Sequence, residues 1–95
     1  MTVDICGMEY EVKTVDDEFE SDTAGKIDYR NHVILISKNQ CHEAKIETLC
    51  HEIVHGMLQH LGYAEQGEDE QFVQALGNAI YQSFVKGAEG SWAAL

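Results

Sequence analysis

The sequence predicts an α+β fold, a small, mostly antiparallel sheet packed on two helices. Two features carry this. Up to about residue 37 the apolar side chains alternate with polar ones or gather in β-branched runs, and beyond it they recur at helical spacing. With 95 residues in all, a single domain 1–95 is expected, large enough for a modest core but with little room for a separate substrate subdomain. The sheet should occupy about 2–37, a first helix about 39–61 and a second about 68–86.

Residues 2–6 and 8–15 read as two strands around Gly7. In the second, Met8, Tyr10 and Val12 alternate with Glu9, Glu11 and Lys13, the pattern of a half-buried strand. Cys6 is expected to be a small core residue. Residues 16–22 carry five acids in seven positions and read as a solvated connection, because the ligand order and central Gly of a calcium loop are missing. Residues 25–29, the turn Arg30-Asn31-His32 and residues 33–37 form a hairpin whose β-branched second arm should be buried. His32 belongs to the turn and is not read as a ligand.

Ser37-Lys38-Asn39-Gln40 fits a capping box, so the first helix should begin near Asn39, with Ser37 as N-cap, and stop near Gly62. On a wheel with Ile46 at 0°, Leu49, Cys50, Ile53, Val54, Met57 and Leu61 cover an arc from about 300° to 80°, the core face. His51 and His55 fall at about 140° and 180°, side by side on the opposite flank. Residues i and i+4 stack one turn apart, so the two imidazoles of His51-Glu52-x-x-His55 can grip one ion. Glu52, about 100° round from His51, would stand beside that ion and accept a proton from water activated there. Cys41-His42 and Cys50-His51 do not make a structural Cys/His site, since the spacing matches no short knuckle and Cys50 points to the core. His60 would be a third ligand only in a HExxHxxGxxH pattern, and Leu58 and Leu61 occupy the positions that need Gly and His. It is read as a core-edge or helix-terminal residue.

The stretches Thr48-Leu49-Cys50-His51-Glu52-Ile53-Val54-His55 and Leu76-Gly77-Asn78-Ala79-Ile80-Tyr81-Gln82 resemble the zincin metallopeptidases of the gluzincin branch. Within it they are similar to small ImmA/IrrE-like and phage-encoded HExxH proteins. The resemblance covers roughly the C-terminal half. It implies a minimal zincin-like fold, one zinc ion per chain, a third ligand Glu from the next helix, and an edge strand that pairs with an extended peptide. It also points to a phage or prophage origin, with cleavage of a bacterial regulator as one task.

Glu68-Asp69-Glu70 opens the second helix, where acids complement the helix dipole. Its apolar stripe is Phe72, Val73, Leu76, Ile80 and Phe84, expected to face the core. Asp69 lies at the middle of that stripe, whereas Glu70 lies about 100° off, on the side shared with Gly77 and Tyr81. A ligand belongs where core gives way to cleft, and the resemblance places the ligand Glu just before the Phe72-Val73 pair. Glu70 is therefore preferred, with Asp69 and Glu68 as alternatives. Gly77 would let the two helices approach closely. Gly87-Ala88-Glu89-Gly90 ends the helix, and Trp92 in the tail either folds back on the core or stays free.

A net charge of −11 argues against a nucleic-acid surface, and no apolar run approaches the roughly 20 residues of a membrane span. Three cysteines without regular spacing and an N-terminus without signal-peptide features make a cytoplasmic protein the expectation. The function expected is zinc-dependent hydrolysis of a peptide bond in a peptide or protein substrate. His51, His55 and Glu70 would hold the metal, Glu52 would act as general base, and Tyr63 and Tyr81 are unassigned candidates for an oxyanion donor. The alternatives are a non-catalytic regulatory module on the same fold, with a structural or vacant metal site, and an acidic interaction module without metal. The oligomeric state is not specified by the sequence.

Overall fold

A computed structural model describes residues 1–16 and 24–95. Its main elements are β1 (Thr2–Ile5), β2 (Met8–Val15), β3 (Gly25–Asp28), β4 (Val33–Ser37), α1 (His42–Leu61) and α2 (Glu70–Ile80), the last continued by a π-helical turn, Tyr81–Val85, that is counted with it. Most of the acidic connection expected at 16–22 lies outside the described residues. The fold is α+β, and the sheet is mostly antiparallel. Its order is β1-β2-β4-β3, with β1–β2 and β3–β4 antiparallel and β2–β4 parallel. Among the described residues β3 is thus an edge strand, with one side of its backbone unpaired by the sheet.

The helices form successive layers. α1 covers one face of the sheet, and α2 packs on α1 rather than on the strands. Alternation in β2 and β4 sends Tyr10, Val12, Ile34 and Ile36 inward, where they meet Leu49 and Ile53 of α1 and Ile5 of β1. Removing each such side chain from water contributes roughly 1.5–3 kcal/mol. A second cluster of Ile46, Cys50 and Tyr81 joins the two helices, and Trp92 and Leu95 fold back onto both clusters. Among the described residues no helix is long and apolar enough to cross a membrane.

Three local expectations are corrected. Cys6 is exposed rather than buried. β1 and β2 are joined by only two residues, and Cys6 and Gly7 both take positive φ (51° and 82°), as a tight hairpin of type I′ requires. α1 starts at His42, with Cys41 as an N-cap that makes no side-chain bond. Ser37 and Gln40 do bond locally, Asn39 N to Ser37 Oγ and Gln40 Nε2 to Ser37 O, but these contacts bend the chain out of β4 before the helix begins. α1 ends at Gly62 in the left-handed conformation, as expected.

The third correction concerns α2. Phe72, Leu76 and Phe84 are exposed, Phe84 by 77%, and the face against α1 is Val73, Gly77 and Tyr81. Apolar residues occupy two adjacent rows at i, i+4 spacing, and a helix with one neighbour buries only one of them. The buried row is the one that contains glycine. A Cβ on Gly77 would lie 3.2 Å from His51 Cα and 3.3 Å from His51 N, so this residue lets α2 approach the backbone of α1 beside His51.

Candidate metal centre

Burying the Ile46–Leu49–Ile53 face of α1 leaves the flank with His51 and His55 bordering an open cleft of about 850 Å³. β3 and Tyr29 form one wall, and the start of α2 forms another. α2 adds a second row beside its buried one, Glu70, Gln74 and Asn78, again four residues apart. Close approach at Gly77 carries the first two members of this row to His51.

The side chains converge tightly. His51 Nε2 and His55 Nε2 are 3.2 Å apart, Glu70 Oε2 is 3.0 Å from His51 Nε2, and Glu70 Oε1 is 2.9 Å from His55 Nε2. His51 Nδ1 lies 2.8 Å from Gln74 Oε1, and Gln74 Nε2 donates to Asn78 Oδ1 at 3.0 Å. When Nδ1 carries the proton given to Gln74, Nε2 turns a lone pair toward a carboxylate and a second imidazole. Acceptors so placed can be held together by a cation. A tetrahedral ion with bonds of about 2.0–2.1 Å places its ligand atoms about 3.3–3.4 Å apart, close to the spacing here. His51, His55 and Glu70 are compatible with a metal ion, and no other cluster of three His, Cys, Asp or Glu donors forms among the described residues.

Of the acids weighed from sequence, Glu70 is the one that reaches the histidines. Asp69 instead caps α2, its Oδ1 accepting from Phe72 N at 3.1 Å, and Glu68 lies in a short 3₁₀ turn before it. His60 is elsewhere, sharing a 2.7 Å hydrogen bond with Tyr10. Cys41 is exposed and Cys50 buried, neither near a second donor set.

Glu52 is 5% exposed and lines the cleft. Burial pushes its carboxyl up to about 7, with His51 pulling it down and Glu70 adding to the rise. A carboxyl poised there can both take and return a proton near neutral pH. Burial also lowers the pKa of His55, Glu70 opposing, which favours the neutral imidazole that a metal requires.

Two residues that sequence reasoning passed over belong to this site. Tyr29 lines the cleft, and its hydroxyl is pushed up to about 12 by burial, then by the charges of Glu52, Tyr10 and Glu70, so it remains a proton donor. The tyrosines considered instead are elsewhere, Tyr63 exposed and Tyr81 in the interhelical core. Gln74 is the other, and its signal was visible: a polar residue one turn after Glu70, on the flank beside Gly77.

A family model described as the IrrE N-terminal-like domain, Peptidase_M78, matches residues 3–78, a span that runs from within β1 through all of α1 and past Gln74. No curated protein and no solved structure matches the chain.

Proposed function

This chain belongs to the IrrE N-terminal-like peptidase family, and on that premise we propose that it is a zinc metallopeptidase that cleaves a peptide bond in an extended peptide or protein substrate. The observation that carries the reading is the meeting of His51, His55 and Glu70 beside a buried carboxyl, Glu52. His51 Nε2, His55 Nε2 and a Glu70 oxygen would hold the ion and leave a fourth position open to the cleft. Bound zinc supplies Lewis acidity, which brings the pKa of a coordinated water to about 7 and polarises a carbonyl.

The remaining work falls to the chain. Glu52 accepts the proton of the attacking water and delivers it to the leaving amine. Tyr29, protonated across the working range, donates to the oxygen that becomes negative as the carbonyl carbon turns tetrahedral. β3, at the edge of the sheet, offers its outer backbone edge to the substrate, fixing the scissile bond against α1. A purely structural metal would leave the buried Glu52 carboxyl without a use. Family membership equally accommodates a regulatory role, and turnover separates the two.

Protein purified without a histidine tag should carry one zinc per chain and cleave members of a peptide library. Glu52→Gln should keep the zinc and lose cleavage. Cleavage retained in Glu52→Gln would remove Glu52 from catalysis, and failure of the wild type to take up zinc would remove the peptidase reading altogether.

A further inference from the structure

We propose that Gln74 is a positioning residue for the metal centre: its side-chain carbonyl accepts the Nδ1 proton of His51 and so leaves Nε2 as the bare nitrogen facing Glu70 and His55. This rests on the metal-centre reading above and deepens it.

An imidazole can bind an ion through Nε2 only when its remaining proton is on Nδ1. His51 Nδ1 is 2.8 Å from Gln74 Oε1, so that proton has an acceptor ready. A primary amide has one accepting and one donating end, and which end faces the histidine must be fixed by its surroundings. Here Gln74 Nε2 donates to Asn78 Oδ1 at 3.0 Å, which leaves Oε1 for His51. Glu70, Gln74 and Asn78 are successive members of one i, i+4 row on α2, so one helix supplies the carboxylate, the orienting carbonyl and the group that orients it. Gly77 sets the distance at which the row meets His51, because its missing Cβ would otherwise press on the His51 backbone. The support is made of neutral amides: the partner of His51 Nδ1 is the Gln74 carbonyl, not a carboxylate.

The relay can also run backwards, with both amides turned over, Gln74 donating to Nδ1 and the His51 proton on Nε2. That arrangement opposes metal binding, and it makes the proposal testable. Zinc affinity is measured by competition with a chromophoric chelator for the wild type, Gln74→Leu and Gln74→Glu. The His51 ring is followed by nitrogen–proton correlation in the zinc-loaded chain. Gln74→Leu should weaken zinc binding by about 10- to 100-fold. It should also let the Nδ1 proton exchange with water. Gln74→Glu, which can only accept, should restore both readouts, with Asn78 turning its amide to donate. A space-filling role would instead be rescued by Leu and not by Glu, and that result overturns the proposal. So does unchanged zinc affinity in Gln74→Leu. If the wild type takes up no zinc, the metal reading fails and this inference with it. If the wild type binds zinc and Gln74→Leu binds it equally, only the role of Gln74 fails.

Discussion

His51 and His55, on one flank of α1, hold their Nε2 atoms 3.2 Å apart with the Glu70 carboxylate against both. His32 and His60, near the C-terminal end of the same helix, pack edge to face at 6.1 Å between ring centroids, and Tyr10 touches both. The Tyr10 ring lies flat on His32 at 4.6 Å between centroids, and its hydroxyl shares a 2.7 Å hydrogen bond with His60 Nε2. Burial, and after it the charge of Asp28, raises the pKa of the Tyr10 hydroxyl, so it stays a neutral partner. The difference lies in what meets the ring nitrogens. In the first pair the ring nitrogens converge with a carboxylate in a cluster compatible with a metal ion, whereas in the second a neutral hydroxyl satisfies the imidazole and the rings serve as packing. Histidine count and spacing do not distinguish these cases, but the neighbours do.

The sharpest way to break this comparison is to remove one histidine from each pair. His55→Ala should abolish zinc uptake, and His60→Ala should leave it at one equivalent per chain, as read by elemental analysis. Zinc at 100 times its Kd should stabilise the wild type and His60→Ala by about 2.7 kcal/mol in thermal unfolding, and His55→Ala not at all. Loss of zinc in His60→Ala would mean that the two pairs are not independent.

The two regions also differ in charge, since only the cleft pair has a buried acid beside it. The Glu52 carboxyl, ordinarily at 4.5, is raised to about 7 in the fold. Its contribution to stability is therefore fully present below pH 4.5 and is lost as pH rises through 7, when the buried group must ionise. The rise corresponds to roughly 3 kcal/mol. In metal-free protein, Glu52→Gln should gain on the wild type by about that amount between pH 4 and pH 8 in denaturant titrations. Parallel pH profiles would show that Glu52 is better solvated than its burial implies.

What could be read beforehand follows the range of the forces involved. The gathering of His51 and His55 is a matter of helical spacing, and Glu70 follows from spacing plus the choice of helix flank. The β3–β4 hairpin and the β2 alternation are equally local. Three features depend on which elements meet in space. The inward row of α2 is Val73, Gly77 and Tyr81 instead of Phe72, Leu76 and Phe84, because α1 approaches where the side chain is absent. Tyr29 reaches the cleft only because β3 is the edge strand next to α1. Cys6 is exposed because the turn is two residues long, which a count of apolar residues does not reveal.

Gly77 is where packing and the candidate metal centre share a cause, and Gly77→Ala should sharpen that link. The added methyl would meet backbone atoms of His51, which cannot rotate away, so the helices must separate. Overpacking of this kind costs about 1–3 kcal/mol. The same displacement withdraws Glu70 and Gln74 from His51, so zinc affinity should fall together with stability, measured by chelator competition and thermal unfolding. A stability loss with zinc affinity unchanged would mean that the second helix adjusts by rotating about the site.

The smallest effect is expected at the other pair. Tyr10→Phe keeps the ring that stacks on His32 and removes only the hydrogen bond to His60. One such bond contributes about 1 kcal/mol. For a domain of this size that lowers Tm by about 4–8 °C. The fall should be the same with and without zinc, because Tyr10 touches the C-terminal end of α1 and the cluster at His51 and His55 is held from α2. A larger fall in the zinc-loaded protein would show that the end of α1 transmits strain to His55. The plugged pair would then be part of the support of the metal centre, and its packing would have to be counted among the conditions for binding.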